Sequence, residues 1–107
     1  MASIGGMGNI LKQAQEMQAR MAKIQEELAS KTVQGTSGGG MVEVTVNGQF
    51  NLTAVKIEPS VINPEEKDML EDLVLAAAND AMRKARELAS AEMAKLTGGL
   101  KIPGLMP

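Results

Sequence analysis

The glycine run Gly38-Gly39-Gly40 is the first place where residue type and spacing suggest chemistry, because glycine-rich loops often bind phosphate. A phosphate-binding loop follows a strand and leads into a helix, and the P-loop also needs a lysine after its last glycine. Here the glycines follow a helical pattern and lead into a strand, and Met41 stands where the lysine would be needed. We therefore interpret the run as a turn in which glycine adopts positive φ angles.

Basic side chains are the second candidate for chemistry, because lysine and arginine contact the phosphates of nucleic acids. The whole chain has 11 basic and 13 acidic residues and a net charge of −2, which is not the basic balance of most nucleic-acid binders. The charges are unevenly distributed: residues 65–80 contain one basic and six acidic residues, whereas residues 81–96 contain four basic and two acidic ones. The stretch RKAR at 83–86 fits either a solvated helix face or a phosphate-contacting patch.

Cysteine and histidine are absent from the sequence. This excludes disulfides, thiolate zinc sites and thiol nucleophiles, and it removes the side chain that titrates near neutral pH. An enzyme with this composition would need carboxylates, lysines or hydroxyls with strongly shifted pKa values. We therefore expect a protein without catalytic residues, metal site, cofactor or small-molecule substrate.

A helix is predicted from Met7 to Leu28, because apolar residues recur there at alternating intervals of three and four. This apolar stripe consists of Met7, Ile10, Ala14, Met17, Met21, Ile24 and Leu28. The spacing fits equally a helix that packs on its own domain and a helix that packs against a partner.

The middle third predicts an antiparallel meander of two or three strands. Val42, Val44 and Val46 alternate with polar residues, as in a half-buried strand, and Asn47-Gly48 is a strong hairpin signal. A second strand is expected over 50–58 and a short additional one over 32–35. Strict two-residue closure would mix apolar with polar residues on one face, whereas a longer loop would pair Val46 with Phe50 and Val44 with Leu52. Along the second strand the apolar residues change from an even position, Leu52, to the odd positions of Val55 and Ile57, and this change suggests a β-bulge.

A second long helix is predicted after Asn63, a good N-cap that is followed by Pro64 at the first helical position. Its apolar positions continue as far as the glycine stop at 97–99. We expect residues 1–107 to form one domain, with flexible tails at 1–6 and 98–107.

The length of the helices predicts a homodimer. A helix of about thirty residues is about 45 Å long, whereas a compact domain of this size has a radius of gyration near ~13 Å. One protomer therefore cannot cover its own apolar stripes, and two-fold association is the commonest way to cover them.

Nearly the whole chain resembles the YbaB/EbfC family of bacterial nucleoid-associated DNA-binding proteins. The resemblance is carried in order by GGMGNILKQAQEMQARM, by GMVEVTVNG with VKIEPSV, and by DMLEDLVLAAANDAMRKA. It implies an α+β protomer with a long N-terminal helix, an antiparallel sheet and a long C-terminal helix. It further implies a dimer that joins through the sheets, projects long helices and binds double-stranded DNA.

The resemblance and the charge distribution together predict a protein that binds duplex DNA with low sequence specificity and influences nucleoid organisation or gene expression. The residues expected to contact phosphates are Lys12, Arg20, Lys23, Arg83, Lys84, Arg86 and Lys95. The rival hypothesis is a scaffold or adaptor whose methionine-rich surfaces bind a protein partner. No apolar stretch is long enough to cross a membrane and no export signal is evident, so the cytoplasm and its nucleoid are the expected location.

Overall fold

The computed structural model describes the backbone of residues 2–96 and the side chains of residues 7–96, and it has the predicted α+β architecture. In chain order the elements are α1 (Ala2–Ser30), β1 (Thr32–Ser37), β2 (Val42–Asn47), β3 (Leu52–Ile57) and α2 (Lys67–Leu96). The three strands form one antiparallel sheet in the order β1-β2-β3, so the predicted meander and its additional first strand are confirmed.

The core lies between β2 and α2. Val42, Val44 and Val46 are fully buried, because their alternation places them on the one face of the sheet that α2 covers. They pack against three small helical residues that are also fully buried, Ala77, Ala81 and Ala85. Side chains of this size let the helix backbone come close to the sheet.

Gly35 of β1 is the point of closest approach between the sheet and α2. A β-carbon at this position would lie closer than 3.0 Å to the backbone of Ala81 and Ala77. We expect Gly35→Ala to lower the free energy of unfolding by about 3 kcal/mol, because the helix must move away from the sheet. Urea unfolding measures this loss. Gly8→Ala is the control, because its β-carbon would meet no atom within 4 Å, and equal stability of the two variants would contradict the close approach.

The glycine run forms a turn, as predicted. Gly38, Gly39 and Gly40 have φ angles of 59°, 68° and 96°, a region that L side chains rarely adopt, and they reverse the chain between β1 and β2. Just before the turn, the hydroxyl of Ser37 donates a hydrogen bond to the carbonyl of Leu73 at 2.5 Å. This contact ties the end of β1 to α2.

The hairpin between β2 and β3 turns at Asn47-Gly48, as predicted, but its loop is four residues long. The side-chain oxygen of Asn47 accepts hydrogen bonds from the backbone N–H groups of Gln49 and Asn51, both at 3.0 Å. The N–H of Gly48 donates to the carbonyl of Leu28 at 2.8 Å. The Asn-Gly pair therefore anchors the end of α1 as well as reversing the chain.

The register of β3 differs from both predicted pairings. The loop is longer than two residues, as one of the two alternatives required. Val46 pairs with Leu52 and Val44 with Val55, however, so the predicted pairings of Val46 with Phe50 and of Val44 with Leu52 are wrong. Phe50 lies in the loop with a φ angle of 66°. The predicted bulge is confirmed, because the register shifts by one residue of β3 opposite the step from residue 45 to residue 46. The bulge brings Val55 onto the same face as the core valines.

Helix α1 packs on the domain only through its last turns. Ile24 and Leu28 are buried, whereas Met7, Ile10 and Met17 are exposed. The molecule measures 78 × 26 × 16 Å, because α1 extends beyond the sheet. The helix begins at Ala2, before the predicted start of the stripe, and the flexibility expected of residues 1–6 stays a prediction.

The cap predicted for the second long helix is present, but α2 itself begins three residues after Pro64, at Lys67. The side-chain oxygen of Asn63 accepts a hydrogen bond from the N–H of Glu65 at 3.0 Å, and Pro64 opens a 3-10 turn that leads into the helix. The helix continues to Leu96. The predicted glycine stop at 97–99 and the predicted tail at 98–107 lie outside the described residues.

Candidate nucleic-acid interface

Helix α1 presents three exposed cations, Lys12, Arg20 and Lys23. At about 100° per residue, Lys12 and Lys23 lie on the side of the helix opposite the apolar stripe, and Arg20 lies between the two faces. Within residues 7–96, no carboxylate forms an ion pair with any of the three. These charges are therefore available to an anionic partner.

The cations Arg83 and Lys84 of α2 are held by carboxylates of the same helix. The guanidinium of Arg83 lies 3.0 Å from a carboxylate oxygen of Asp80 and 2.8 Å from one of Glu87. The ammonium of Lys84 donates to the carbonyl of Gln34 at 3.0 Å and lies 3.5 Å from Asp80. The hydrogen bond from Arg83 lowers the pKa of Asp80 below its ordinary value. These two positive charges are thus balanced inside the protein.

A cleft between α1 and α2 brings together three of the predicted residues, Arg20, Lys23 and Lys95. It has a volume of about 210 Å³, and Ile24 and Leu96 form part of its wall. Lys12 lies further along α1, about 12 Å from Arg20 along the helix axis. Three cations from two distant parts of the sequence therefore line one cleft, together with the carboxylates of Glu27 and Glu92.

Arg86 belongs to a different surface. It is exposed and lines a shallow groove with Arg83 and Ser90. Nine residues of an α-helix correspond to a rotation of about 180°, so Arg86 and Lys95 lie on opposite sides of α2. The predicted residues therefore do not form one continuous patch in one protomer: three line the cleft, Arg83 and Arg86 line the groove, and Lys12 and Lys84 line neither.

Glu92 is the residue of this region that sequence reasoning missed. It is 3% exposed, and one of its carboxylate oxygens lies 2.5 Å from the ammonium of Lys31 and 3.1 Å from that of Lys95. Among the described residues its other oxygen, Oε2, has no hydrogen-bond partner. Lys31 and Glu92 are 61 positions apart in the sequence, so no spacing rule could have paired them.

Glu92 is expected to make folding sensitive to acid. The hydrogen bond from Lys31, and then that from Lys95, lowers the pKa of Glu92 below its ordinary value of 4.5. As the pH falls, the unfolded chain therefore takes up this proton before the folded one does. The resulting stabilisation is complete above pH 4.5 and is lost as the pH falls through the folded-state pKa.

Unfolding free energies measured between about pH 7 and about pH 3 check this expectation. The wild type should lose stability more steeply than Glu92→Gln below pH 4.5, so that the difference between the two proteins shrinks. Asp80 acts in the same direction, but it is present in both proteins. Parallel curves for the two proteins would contradict a role for the Glu92 carboxylate.

The part of the chain that the structure describes contains neither a candidate metal site nor a candidate membrane span. No group of three or more acidic side chains is placed to hold a metal ion. No helix is both long and apolar enough to cross a membrane.

Comparisons with known proteins identify the family to which the chain is similar. The profile of the YbaB/EbfC DNA-binding family matches residues 4–100. A nucleoid-associated protein of Desulfotalea psychrophila is 52% identical over 92% of this chain and 93% of its own length. A nucleoid-associated protein of Caldanaerobacter subterraneus subsp. tengcongensis is 54% identical over 92% of this chain and 89% of its own length.

A solved structure has the same fold. The crystal structure of an uncharacterized protein from Helicobacter pylori superposes with a TM-score of 0.71 at 25% sequence identity, over 86% of this chain and 94% of that one. The sequence matches run through both helices and the sheet, that is, through every element that positions the basic residues. The chain belongs to the YbaB/EbfC DNA-binding family.

Proposed function

We propose that this protein binds double-stranded DNA as a homodimer and acts in the nucleoid without catalysing a reaction. Family membership supports DNA as the ligand, and the nucleoid-associated relatives support the location. The observation that carries the proposal is the set of exposed cations on α1, Lys12, Arg20 and Lys23, that lack an ion-pair partner within residues 7–96.

Binding is electrostatic in this proposal. The three α1 cations extend over about 16 Å of helix, and Lys95, which also pairs with Glu92, lies across the cleft. Contacts of lysine and arginine with phosphates orient a protein on the duplex but carry little sequence information, so specificity is low. The complete set of proposed contacts is Lys12, Arg20, Lys23, Arg83, Lys84, Arg86 and Lys95.

The acidic part of α2 stays away from the duplex in this arrangement. Asp68, Glu71 and Asp72 lie in the first turns of α2, about 40 Å along the helix from Lys95. These acidic residues therefore do not oppose binding at the basic end, because charges separated by more than about 8 Å are largely screened at physiological salt.

The dimer is supported by an apolar surface beside the edge strand β3. Leu52 and Val55 of this strand are 52% and 48% exposed, although they lie on the face of the sheet that α2 covers elsewhere. Leu70, Val74 and Leu75 of α2 border the same surface together with Ile57. Pairing of two copies at β3 would cover these side chains and would provide hydrogen-bond partners for the backbone N–H and C=O groups at the edge of the sheet.

A titration of duplex DNA at several salt concentrations tests the proposed function. The logarithm of the binding constant should fall linearly with the logarithm of the salt concentration, with a slope near −0.9 for each phosphate neutralised. Duplexes of unrelated sequence should bind with affinities within about tenfold of each other. Failure to bind any duplex at low salt would refute the proposal.

The second candidate function is a protein scaffold, and the exposed methionines of α1 favour it. Met7, Met17 and Met21 are 71%, 43% and 41% exposed, and flexible methionine surfaces adapt to varied protein partners. Recovery of bound proteins from lysate with and without nuclease separates the two functions. Partners that persist after nuclease treatment favour the scaffold, and partners that are lost favour DNA binding.

A further inference from the structure

The buried carboxylate of Glu92 connects three parts of the fold. Lys31, which donates to Glu92, is the first residue after α1. Its backbone carbonyl accepts a hydrogen bond at 3.0 Å from the N–H of Gly48 in the hairpin loop, and its own N–H donates to Glu27 at 3.0 Å. The end of α1, the hairpin and α2 therefore meet at a single ion pair.

Stabilisation of the fold does not by itself explain why a carboxylate is buried at position 92. Removing a charge from water carries a desolvation cost that ion pairing only partly offsets, and an apolar side chain of similar size often serves stability equally well. Both lysines donate to the same oxygen of Glu92, and Oε2 is left without a partner in the described part of the chain. The ion pair has a definite geometric effect, because it connects the residue after α1 to α2.

Small changes at this junction have large effects at the far end of α1. Only Ile24 and Leu28 of the apolar stripe are buried, so the rest of the helix is held from its base. Lys12 lies about 24 Å along α1 from Leu28, and a tilt of about 10° at the base would move it by about 4 Å. A displacement of that size exceeds the length of a hydrogen bond and would break a phosphate contact.

We propose that Glu92 is a positioning residue: by binding Lys31 it sets the angle at which α1 leaves the domain, and thereby the spacing between the cations of α1 and Lys95. The DNA-binding part of this proposal rests on the proposed function, whereas the effect on the angle of α1 does not. Glu92 itself is negatively charged and does not contact phosphate.

Positioning and simple electrostatics predict opposite effects of Glu92→Gln on the affinity for DNA. The substitution removes a negative charge from the basic cleft, so electrostatics alone predicts tighter binding to DNA. Loss of positioning predicts binding that is weaker by about 2- to 30-fold. Glu87→Gln is the matched control, because it makes the same charge change on α2 but breaks only the pair with Arg83 within one helix.

The angle of α1 can be measured without DNA. Because the chain contains no cysteine, spin labels can be placed at two engineered cysteines, Gln13→Cys on α1 and Asn79→Cys on α2. Labelled protein diluted with unlabelled protein then reports only the distances within one protomer. We expect a narrow distance distribution in the protein that carries only the two cysteines, and also when Glu87→Gln is added to it. Adding Glu92→Gln instead should give a broader or shifted distribution.

Two lysine variants complete the test and keep it decisive if Glu92→Gln fails to fold. Lys31→Met removes the link between the helices and should broaden the distribution as Glu92→Gln does. Lys95→Met should leave the distribution narrow, because Lys95 and Glu92 lie on the same helix, three residues apart. Unchanged distributions in Glu92→Gln and Lys31→Met, or tighter DNA binding by Glu92→Gln than by Glu87→Gln, would overturn the proposal. A protein that binds no DNA but shows the expected distributions would refute only the proposed function.

Discussion

The double substitution Arg20→Gln and Lys23→Gln is expected to weaken DNA binding and to reduce the salt dependence of that binding. Each lost phosphate contact lowers the slope of log K against log salt by about 0.9, so a dimer that loses four contacts should show a slope smaller by about 4. The loss should be similar for duplexes of different sequence, because phosphate contacts are insensitive to sequence. Mobility-shift or fluorescence titrations at several salt concentrations measure both quantities.

Arg83→Gln with Lys84→Gln is the matched control for this prediction, because it removes the same two residue types from α2. Arg83 already pairs with Asp80 and Glu87, and Lys84 with Gln34 and Asp80, so a phosphate must compete with these contacts. We therefore expect a smaller change of slope. A larger effect at the α2 positions than at the α1 positions would show that DNA binds the groove beside Arg86 rather than the cleft between the helices.

Val55→Asp is expected to dissociate the proposed homodimer. Val55 is 48% exposed on the edge strand, next to the apolar surface of α2, and a buried carboxylate without a partner is costly at an interface. Loss of a central interface residue typically costs at least 2 kcal/mol, which corresponds to a dimer weaker by about 30-fold or more. Sedimentation velocity across a concentration series measures the change, and DNA binding by the variant should fall with it.

Ala54→Asp is the control for the dimer prediction. It places the same charge on the same strand one position away, where alternation directs the side chain to the opposite, polar face of the sheet. We expect this variant to remain dimeric. A wild-type protein that sediments as a folded monomer at micromolar concentration would contradict the dimer, and so would equal dissociation constants for the two variants.

Much of the fold was predictable because it depends on local signals. The alternation of the β2 valines, the Asn47-Gly48 turn and the Asn63 cap each act over a few residues, and each was confirmed. The register of β3 was not predictable in the same way. It depends on a four-residue loop and a bulge whose energies are set by contacts across strands and with α1.

The candidate site was predictable only in its residue types. The sequence places basic side chains on both helices, and helical periodicity separates the α1 cations from the apolar stripe. Whether a cation is neutralised depends on neighbours in three dimensions: Arg83 lies between two carboxylates of its own helix, whereas Arg20 and Lys23 meet Lys95 across a cleft. Basic side chains of the same type therefore differ in how freely they can contact a phosphate, because their neighbours differ.

The sequence by itself determined the α+β class, the order of the elements, the glycine turn and the likeness to a DNA-binding family. The fold class, the order of the elements and the turn follow from periodicity, capping and backbone preference, which act along the chain, whereas the likeness rests on the residue types in order along the sequence. Only the tertiary structure decided the close approach at Gly35, the distribution of the cations over separate surfaces, and the pairing of Lys31 with Glu92. These depend on distances between residues far apart in sequence, and such distances are set by how the helices pack on the sheet.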